Sequence, residues 1–358
     1  MKKVLMMYDI KVKHEYFILL LGELLKEKAN IFLYKKYRSS FPIFLNVLRL
    51  KGCKIIHFHF IHNLAGFHTK FKLKFLLKSI IFLIDIYLVK YILQTKIIWT
   101  VNNLLSHELF FPRLEKFIRS HFAKKTDIII THCNRVKKIV QKELKIPQDK
   151  IYMIPHGNYL KGYKNEISKE KARELLSLGE NQLVILHFGY IRQYKRIDNL
   201  IDNFLRLKND GNIKLLIVGK AFNKIGEFLI KKSKGDNNII FSFRHIPTYD
   251  VQIYMNASDI IVTSYNRILT SGTVILATSF GKPVIAPRLG CIPELLNENS
   301  AFLYNPQEKN GLLKALQKAI DSKGKLKDLG QNNLKSIRKF DWNTIARSTK
   351  KIYERFFN

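Results

Sequence analysis

The run from Ser258 to Pro287 constrains the fold more tightly than any other stretch of this 358-residue chain. A short apolar strand, Ile260 to Val262, leads into a polar loop, and a helix opens at Ser271, Gly272 and Thr273. The helix stops at Gly281, and a second apolar strand, Pro283 to Ala286, follows at once. Strand, loop, helix and strand in this order make a parallel α/β unit whose helix N-terminus faces the carboxyl ends of the strands. Free backbone N–H groups and the helix dipole converge there, a setting that suits a phosphate. Alone, the pattern is equally that of an ordinary βαβ unit with a glycine-relaxed turn.

The same alternation runs through the chain. Val4 to Tyr8, Ile31 to Tyr34, Ile55 to Phe60, Ile97 to Val101, Asp127 to Thr131 and Lys150 to Ile154 read as strands. Glu15 to Glu27 reads as a helix with Phe17, Leu20, Leu21, Leu24 and Leu25 on one side. A polar stretch, 161–180, reads as a linker with a short helix. The alternation then restarts, with strands at Val184 to Phe188, Ile213 to Val218, Ile239 to Phe243, Ile260 to Thr263 and Pro283 to Ala286, and a helix at Ile197 to Leu207. Asp341 to Phe357 closes the chain as an amphipathic helix. Two tandem Rossmann-like α/β domains with a cleft between them account for this order. Ligands in such sheets sit beyond the carboxyl ends of the strands.

Composition narrows the function classes. With 47% hydrophobic and 12% aromatic residues the chain can fill two cores. Its three cysteines show no CxxC spacing, which points away from a zinc site or a disulfide framework and toward a reducing compartment. The formal charge is +34, and residues 1–160 hold 29 basic against 10 acidic side chains, leaving 33 against 18 for the rest. A surplus spread over both halves does not mark a nucleic-acid patch; it suits polyanionic ligands or an anionic lipid surface, and equally a lysine-rich composition with solvated charge throughout. No apolar run reaches the length of about 18 residues that a membrane span needs. The nearest approach, Phe71 to Ile98, is interrupted by charges, and its part Phe71 to Leu93 reads either as a buried core helix or as one lying in a bilayer interface. In it Lys70, Lys74, Lys78 and Asp85 share one stripe.

Candidate chemistry gathers at strand ends. After the first strand of the second half come Gly189, Arg192, Lys195 and Arg196, a sharp turn followed by cations that can neutralise a diphosphate without a metal ion. Asp9, His14 and Glu15 follow the first strand, His57, His59 and His62 lie along and beyond the third, and Asn102, Asn103, His107 and Glu108 follow the fourth. His57 and His59 share a strand face, where a satisfied core histidine is the plainer reading. No helical HxxxH spacing supports a metal.

Taken together, Gly189…Arg192…Lys195, Leu216-Ile-Val-Gly219, Ser258-Asp259, Gly281-Lys-Pro-Val-Ile-Ala286 and Pro293-Glu294 resemble the donor domain of GT-B glycosyltransferases. Pro155-His-Gly-Asn158 resembles the turn closing that group's acceptor domain, and Phe340-Asp-Trp342 opens what resembles its C-terminal helix, so the likeness covers nearly the whole chain. It implies an acceptor domain at 1–160, a linker at 161–180, a nucleotide-sugar domain at 181–335 and a returning helix at 336–358. One departure stands out. The common retaining families carry two glutamates before the Gly-Lys-Pro-Val stretch, and here those positions hold Ile268 and Leu276. The loop looks more like a bacterial subgroup that builds surface polysaccharide, including the β-mannosyltransferase of xanthan assembly.

The resemblance implies transfer of a hexosyl group from a GDP- or UDP-linked sugar to a glycan or lipid-linked acceptor, inverting, without a metal or other cofactor. Gly189, Arg192, Lys195, Gly219, Arg267, Ser271, Gly272 and Thr273 would then hold the donor, with His245 and Ile246 at the base and Glu294 at the ribose or sugar. An inverting transfer needs a general base, sought among His107, Glu108, Asp9 and His14, with Asn102, Asn103, His59 and His62 on the acceptor side. The expected setting is cytoplasmic, on the inner face of the plasma membrane, with no nucleic-acid partner. A nucleotide-sugar 2-epimerase of the same fold, or a non-catalytic binder of polyanions or membrane surfaces, are the competing readings.

Overall fold

The computed structural model describes residues 2–8, 15–35, 37, 39–106, 108–207 and 211–357. They form two compact units, one of residues 1–157 and 340–358 and one of residues 158–339.

The first unit is built on a six-stranded sheet: β1 (Lys3–Met7), β2 (Ile31–Leu33), β3 (Cys53–Phe58), β4 (Lys96–Thr100), β5 (Ile128–Thr131) and β6 (Ile151–Met153). Their order is β2-β1-β3-β4-β5-β6, every pair parallel. Helices cover the faces, so the inner strands β1, β3, β4 and β5 are largely buried on both sides and are near-continuous apolar runs rather than alternating ones.

The closing helix, Trp342–Glu354, belongs to this unit and packs on the Glu15–Lys26 helix. Asp341 caps it by accepting from the Thr344 N–H at 2.9 Å. His57, buried in β3, is the satisfied core histidine anticipated above: its ring nitrogens meet Tyr353 Oη at 2.7 Å and Thr100 Oγ1 at 2.8 Å. Burial holds its pKa down to about 3, so it stays neutral. Gly157 is a point of close approach, because a Cβ built there falls 2.3 Å from the Trp342 indole. Gly157→Ala is therefore expected to lower stability by roughly 1–3 kcal/mol, read as a lower melting temperature; an unshifted melt would contradict that packing.

The helix read from Phe71 onward runs over Lys72–Tyr87 and continues as a π-helical turn, Leu88–Ile92. It is neither apolar all round nor buried all round. Phe75, Phe82, Ile86 and Val89 face the core, while Leu73, Leu77, Ile80 and Ile84 lie exposed. Asp85 does not join a charged stripe at the surface. Its carboxylate is buried and accepts from the N–H groups of Ile43 at 2.9 Å and Phe44 at 2.7 Å, at the start of the Pro42–Arg49 helix. Helical spacing gave Asp85 its angle but not this capping partner forty residues away. Burial, opposed by those two N–H bonds, leaves its pKa raised to about 6. Among the described residues no helix is long and apolar enough to cross a membrane.

The second unit carries β7 (Leu183–Phe188), β8 (Ile213–Val218), β9 (Ile239–Ser242), β10 (Ile260–Val262), β11 (Val284–Pro287) and β12 (Ala301–Tyr304). The order is β12-β11-β10-β7-β8-β9, again all parallel. β12 and the Gly311–Asp321 helix behind it escaped the sequence pattern, since AFLY is too short a run to stand out.

Residues 161–180 are not a free linker. They belong to the second unit, and their helix Lys169–Leu175 is locked down by buried Arg173, which donates to Ala257 O at 3.1 Å and pairs with Asp259 at 2.7 Å. A polar sequence concealed this, because the buried element is a charge whose partner lies on the Ser258-Asp259 turn.

Candidate functional site

In the second sheet β7 is flanked by β8 on one side and β10 on the other, so the strand order reverses at β7. That switch point is where the crevice of an open α/β sheet forms, between the loop after β7 and the loop after β10.

The turn after β7 depends on two glycines. Gly189 has φ +102° and Gly219, at the end of β8, has φ +137°. A Cβ built on Gly219 would sit 2.3 Å from Gly189 O, so the two turns touch backbone to backbone. Pairing continues beyond the strands through Gly189 N–H to Val218 O at 2.9 Å and Ile191 N–H to Lys220 O at 2.9 Å.

Lys195 follows in a 3-10 turn, Gln193–Lys195, and its side chain folds back into the crevice. The residue is buried, and Nζ reaches one acceptor, Phe188 O, at 3.5 Å. Burial first, and then the Arg192 guanidinium, push its pKa down to about 7. Thr273 Oγ1 donates to the same Phe188 oxygen at 3.4 Å. A Cβ built on Gly189 would lie 3.2 Å from Lys195 Nζ and 3.6 Å from Thr273 Oγ1. Gly189, Lys195 and Thr273 therefore surround one small space, with an ammonium, a hydroxyl and a helix start facing it, and Gly219 backs the Gly189 turn.

The helix from the loop after β10 is Gly272–Ser279, capped by Ser271, whose Oγ accepts from Val274 N–H at 3.2 Å. Val274 to Ser279 are all buried, as an apolar sequence on every face requires. Gly281, at φ +63°, takes the left-handed position that ends it. Tyr265 Oη lies 3.1 Å from Ser271 Oγ, and Tyr265 stacks on Tyr194 with centroids 6.0 Å apart. Ser264 Oγ donates to Lys195 O at 2.7 Å, tying the two loops together. Arg192 lies over the Phe222 ring, 4.2 Å from its centroid. Both Arg192 and Arg267 act on the buried Tyr194 hydroxyl. A polar cavity of about 340 Å³ adjoins the cluster, lined among others by Arg196, Ser264, Tyr265, Tyr304 and Asn310.

Ile268 is half-buried and Leu276 is buried in the capped helix, so no carboxylate stands at either position. Ile246 is buried, while His245 and Glu294 are exposed, Glu294 on the short Ile292–Leu295 helix. The sequence passed over Tyr194, Phe222, Ser264 and Tyr265. Only the aromatic spacing of Tyr190, Tyr194 and Phe222 around the cations offered a signal.

In the first unit, Asp9, His14 and His107 lie outside the described residues. Glu108 is exposed. The loop after β4 is anchored from below: Glu115 Oε1 accepts from Ser106 N–H and Oγ, each at 2.7 Å, and pairs with buried Arg119 at 2.8 Å. Asn103 O accepts from Arg119 at 3.5 Å. Asn102 is engaged by a histidine that the sequence reading missed: His132, just past β5, meets Asn102 Oδ1 at 3.0 Å and Ile154 O at 2.9 Å. Burial pulls the pKa of His132 down to about 4. Tyr16 gathers His59, His132, His156 and Trp342 around its ring, at centroid distances of 4.8–6.1 Å. His62 is half-buried and edge-on to Phe60. Among the described residues no three His, Cys, Asp or Glu side chains converge as a metal would require.

Known structures share this architecture. Sucrose-phosphate synthase from Thermosynechococcus elongatus superposes with a TM-score of 0.76 at 16% identity, over 100% of this chain and 99% of that one. The Anabaena protein HepE in complex with UDP gives 0.75 at 16% identity, over 99% and 100%. Two all-parallel six-stranded sheets in two α/β domains, matched end to end in this way, define the chain as a GT-B fold.

Residues 168–336 match the family model for glycosyl transferases group 1, so the second unit carries a group 1 glycosyltransferase domain. Among curated proteins, a GDP-mannose:glycolipid 4-beta-D-mannosyltransferase of Xanthomonas campestris is 27% identical over 166 residues, 45% of this chain and 47% of that protein. The match thus spans about half the length of that relative.

Proposed function

We propose that this chain is a nucleotide-sugar-dependent glycosyltransferase that moves a hexosyl group from a GDP- or UDP-linked donor to a glycan acceptor, lipid-linked, in bacterial surface-polysaccharide synthesis. The observation that carries the reading is Lys195. A buried ammonium with one long hydrogen bond and an arginine as its charged neighbour is costly unless an anion completes it. It faces Thr273, a capped helix start and two glycine turns, the groups that hold a diphosphate. The group 1 domain over the same residues and the Xanthomonas relative acting on GDP-mannose and a glycolipid support it, and HepE bound to UDP keeps the second nucleotide open.

In this reading Lys195 and Arg192 neutralise the departing nucleoside diphosphate, Ser271, Gly272 and Thr273 hold its phosphates, and Gly189 and Gly219 let the backbone come close. Arg267 adds a cation beside Arg192, His245 and Ile246 border the base, and Glu294 the ribose or sugar. The donor domain is taken to extend from the turn at Asn158, and the acceptor domain to include the returning helix. Transfer is inverting: with Ile268 and Leu276 in place of carboxylates, the base comes from the first unit, among Glu108, His107, Asp9 and His14, with Asn102, Asn103, His59 and His62 beside the acceptor. Stabilisation of the leaving group by cations lets the reaction run without a metal. The enzyme works peripherally on the cytoplasmic face of the membrane.

A thermal-shift panel of UDP, GDP, ADP and their sugars tests the donor. A rise in melting temperature with one nucleoside diphosphate is expected, and transfer from its sugar to extracted lipid-linked glycan follows. No shift with any of them, or turnover of UDP-N-acetylhexosamine without acceptor, would count against transfer.

The depressed Lys195 pKa adds a pH signature. The diphosphate selects the protonated amine and raises its pKa, so above pH of about 7 binding takes up close to one proton and affinity falls as pH rises, by up to about tenfold per unit. Calorimetry in buffers of different ionisation heat should show this uptake at pH 8 and none in Lys195→Met. Equal uptake in both proteins would remove Lys195 from the site.

A further inference from the structure

The Lys72–Tyr87 helix and its π-helical extension carry an apolar face that no described residue of the first unit covers. Leu73, Leu77, Ile80, Ile84 and Tyr91 fall on one line at helical spacing, and with Ile92 they are 43–71% exposed. The line is roughly 30 Å long at the rise of a helix. The opposite face is committed to the core through Phe75, Phe82, Ile86 and Val89. Exposed Ile80, Ile84, Tyr91 and Ile92, with half-buried Leu83 and Tyr87, line an open and almost wholly apolar groove of about 400 Å³. Lys72 and Lys74 stand on opposite flanks of the line, each about 100° away around the helix, and both are exposed. Tyr87 and Tyr91 form its far end, where Lys125 sits 4.6 Å over the Tyr87 ring and donates to Tyr91 Oη at 3.1 Å. The whole segment 70–96 contains six lysines and one acid, Asp85, whose carboxylate is turned inward to cap another helix.

We propose that this face is the surface on which the protein docks to an anionic bilayer, the helix lying flat with Leu73, Leu77, Ile80, Ile84 and Ile92 among the acyl chains and the lysines at the headgroups. An apolar line with exposed Lys72 and Lys74 on its two flanks, no exposed carboxylate on the helix itself, and tyrosines at its edge is the pattern of an interfacial helix. A second copy of the chain is a poorer occupant, because a twofold contact would press like-charged lysines together without an acid to offset them. The proposal deepens the lipid-linked reading of the acceptor by naming the surface that meets the lipid, and it rests on that reading only for its purpose.

The test is flotation of the full chain with vesicles of phosphatidylglycerol and phosphatidylcholine, and with phosphatidylcholine alone. Wild type should float with the anionic vesicles at low salt and far less with the neutral ones. Leu77→Asp/Ile80→Asp/Ile84→Asp should lower the partition coefficient at least about tenfold, and Lys72→Glu/Lys74→Glu should lower it by a similar factor that shrinks as salt rises. All five substituted positions in these variants are clear of the nucleotide site, so the melting shift with nucleoside diphosphate should stay as in wild type; its absence in wild type would sink the donor assignment while leaving docking intact. Wild type that stays unbound at low salt, a triple variant that floats unchanged, or gel filtration showing a dimer that the triple variant splits would each overturn the proposal.

Discussion

Lys195→Ala is expected to weaken nucleoside diphosphate binding by about 100-fold or more, the loss of one to two charge-assisted hydrogen bonds in a site closed from water. The size follows from burial. An exposed lysine near phosphates is screened and contributes little, whereas Lys195 is buried and already under repulsion from Arg192 before any ligand arrives. An incoming diphosphate relieves both strains at once. Lys195→Arg should recover only part of the loss, because a planar guanidinium does not fit a space bounded by Gly189, Phe188 O and Thr273. Titration calorimetry with GDP and UDP measures the effect. Affinity unchanged in the alanine variant would remove the diphosphate from this crevice, and with it the main support for the donor assignment.

The second large effect is expected from a residue with no side chain to offer a ligand. Gly219→Ala places a Cβ 2.3 Å from Gly189 O at a backbone φ of +137°, a conformation that L-residues hardly adopt. Relief requires the two turns to part, which moves Phe188 O and the Lys195 turn hung on it. A loss of at least about 3 kcal/mol in stability is expected, with diphosphate binding lost alongside it. Gly52→Ala is the control: it also has positive φ, +82°, but nothing lies within 4 Å of its Cβ, so its cost should stay near the backbone strain alone. Gly219→Ala with wild-type melting and wild-type binding would show that the close approach of the two turns is not what shapes the site.

Much of the site was legible because its signals are local. Ser271 before a helix, Gly281 after it, and Gly189 with Arg192 and Lys195 behind a buried strand each state their geometry within one turn of chain. What failed to show were partners distant in sequence. Asn102 reads as facing an acceptor, and nothing near it in the chain signals that its amide oxygen meets His132, thirty residues on. Asp85 looked like part of a charged stripe, and instead caps a helix forty residues earlier. Polar residues 161–180 looked like a tether, and buried Arg173 ties them to Asp259. In each case a polar side chain takes its meaning from a buried partner, and burial is decided by which strands become neighbours.

The sequence by itself determined the two α/β halves, the helix cap, the glycine turns and the cations that follow β7, because each depends on side-chain period, left-handed backbone or capping within a few residues. The tertiary structure alone decided that β10 lies beside β7. That pairing brings Thr273 and Ser264 to the Lys195 turn, takes the lysine out of water and turns a basic loop into a crevice that buries an amine. Desolvation is a property of the assembled sheet, and no stretch of chain carries it alone.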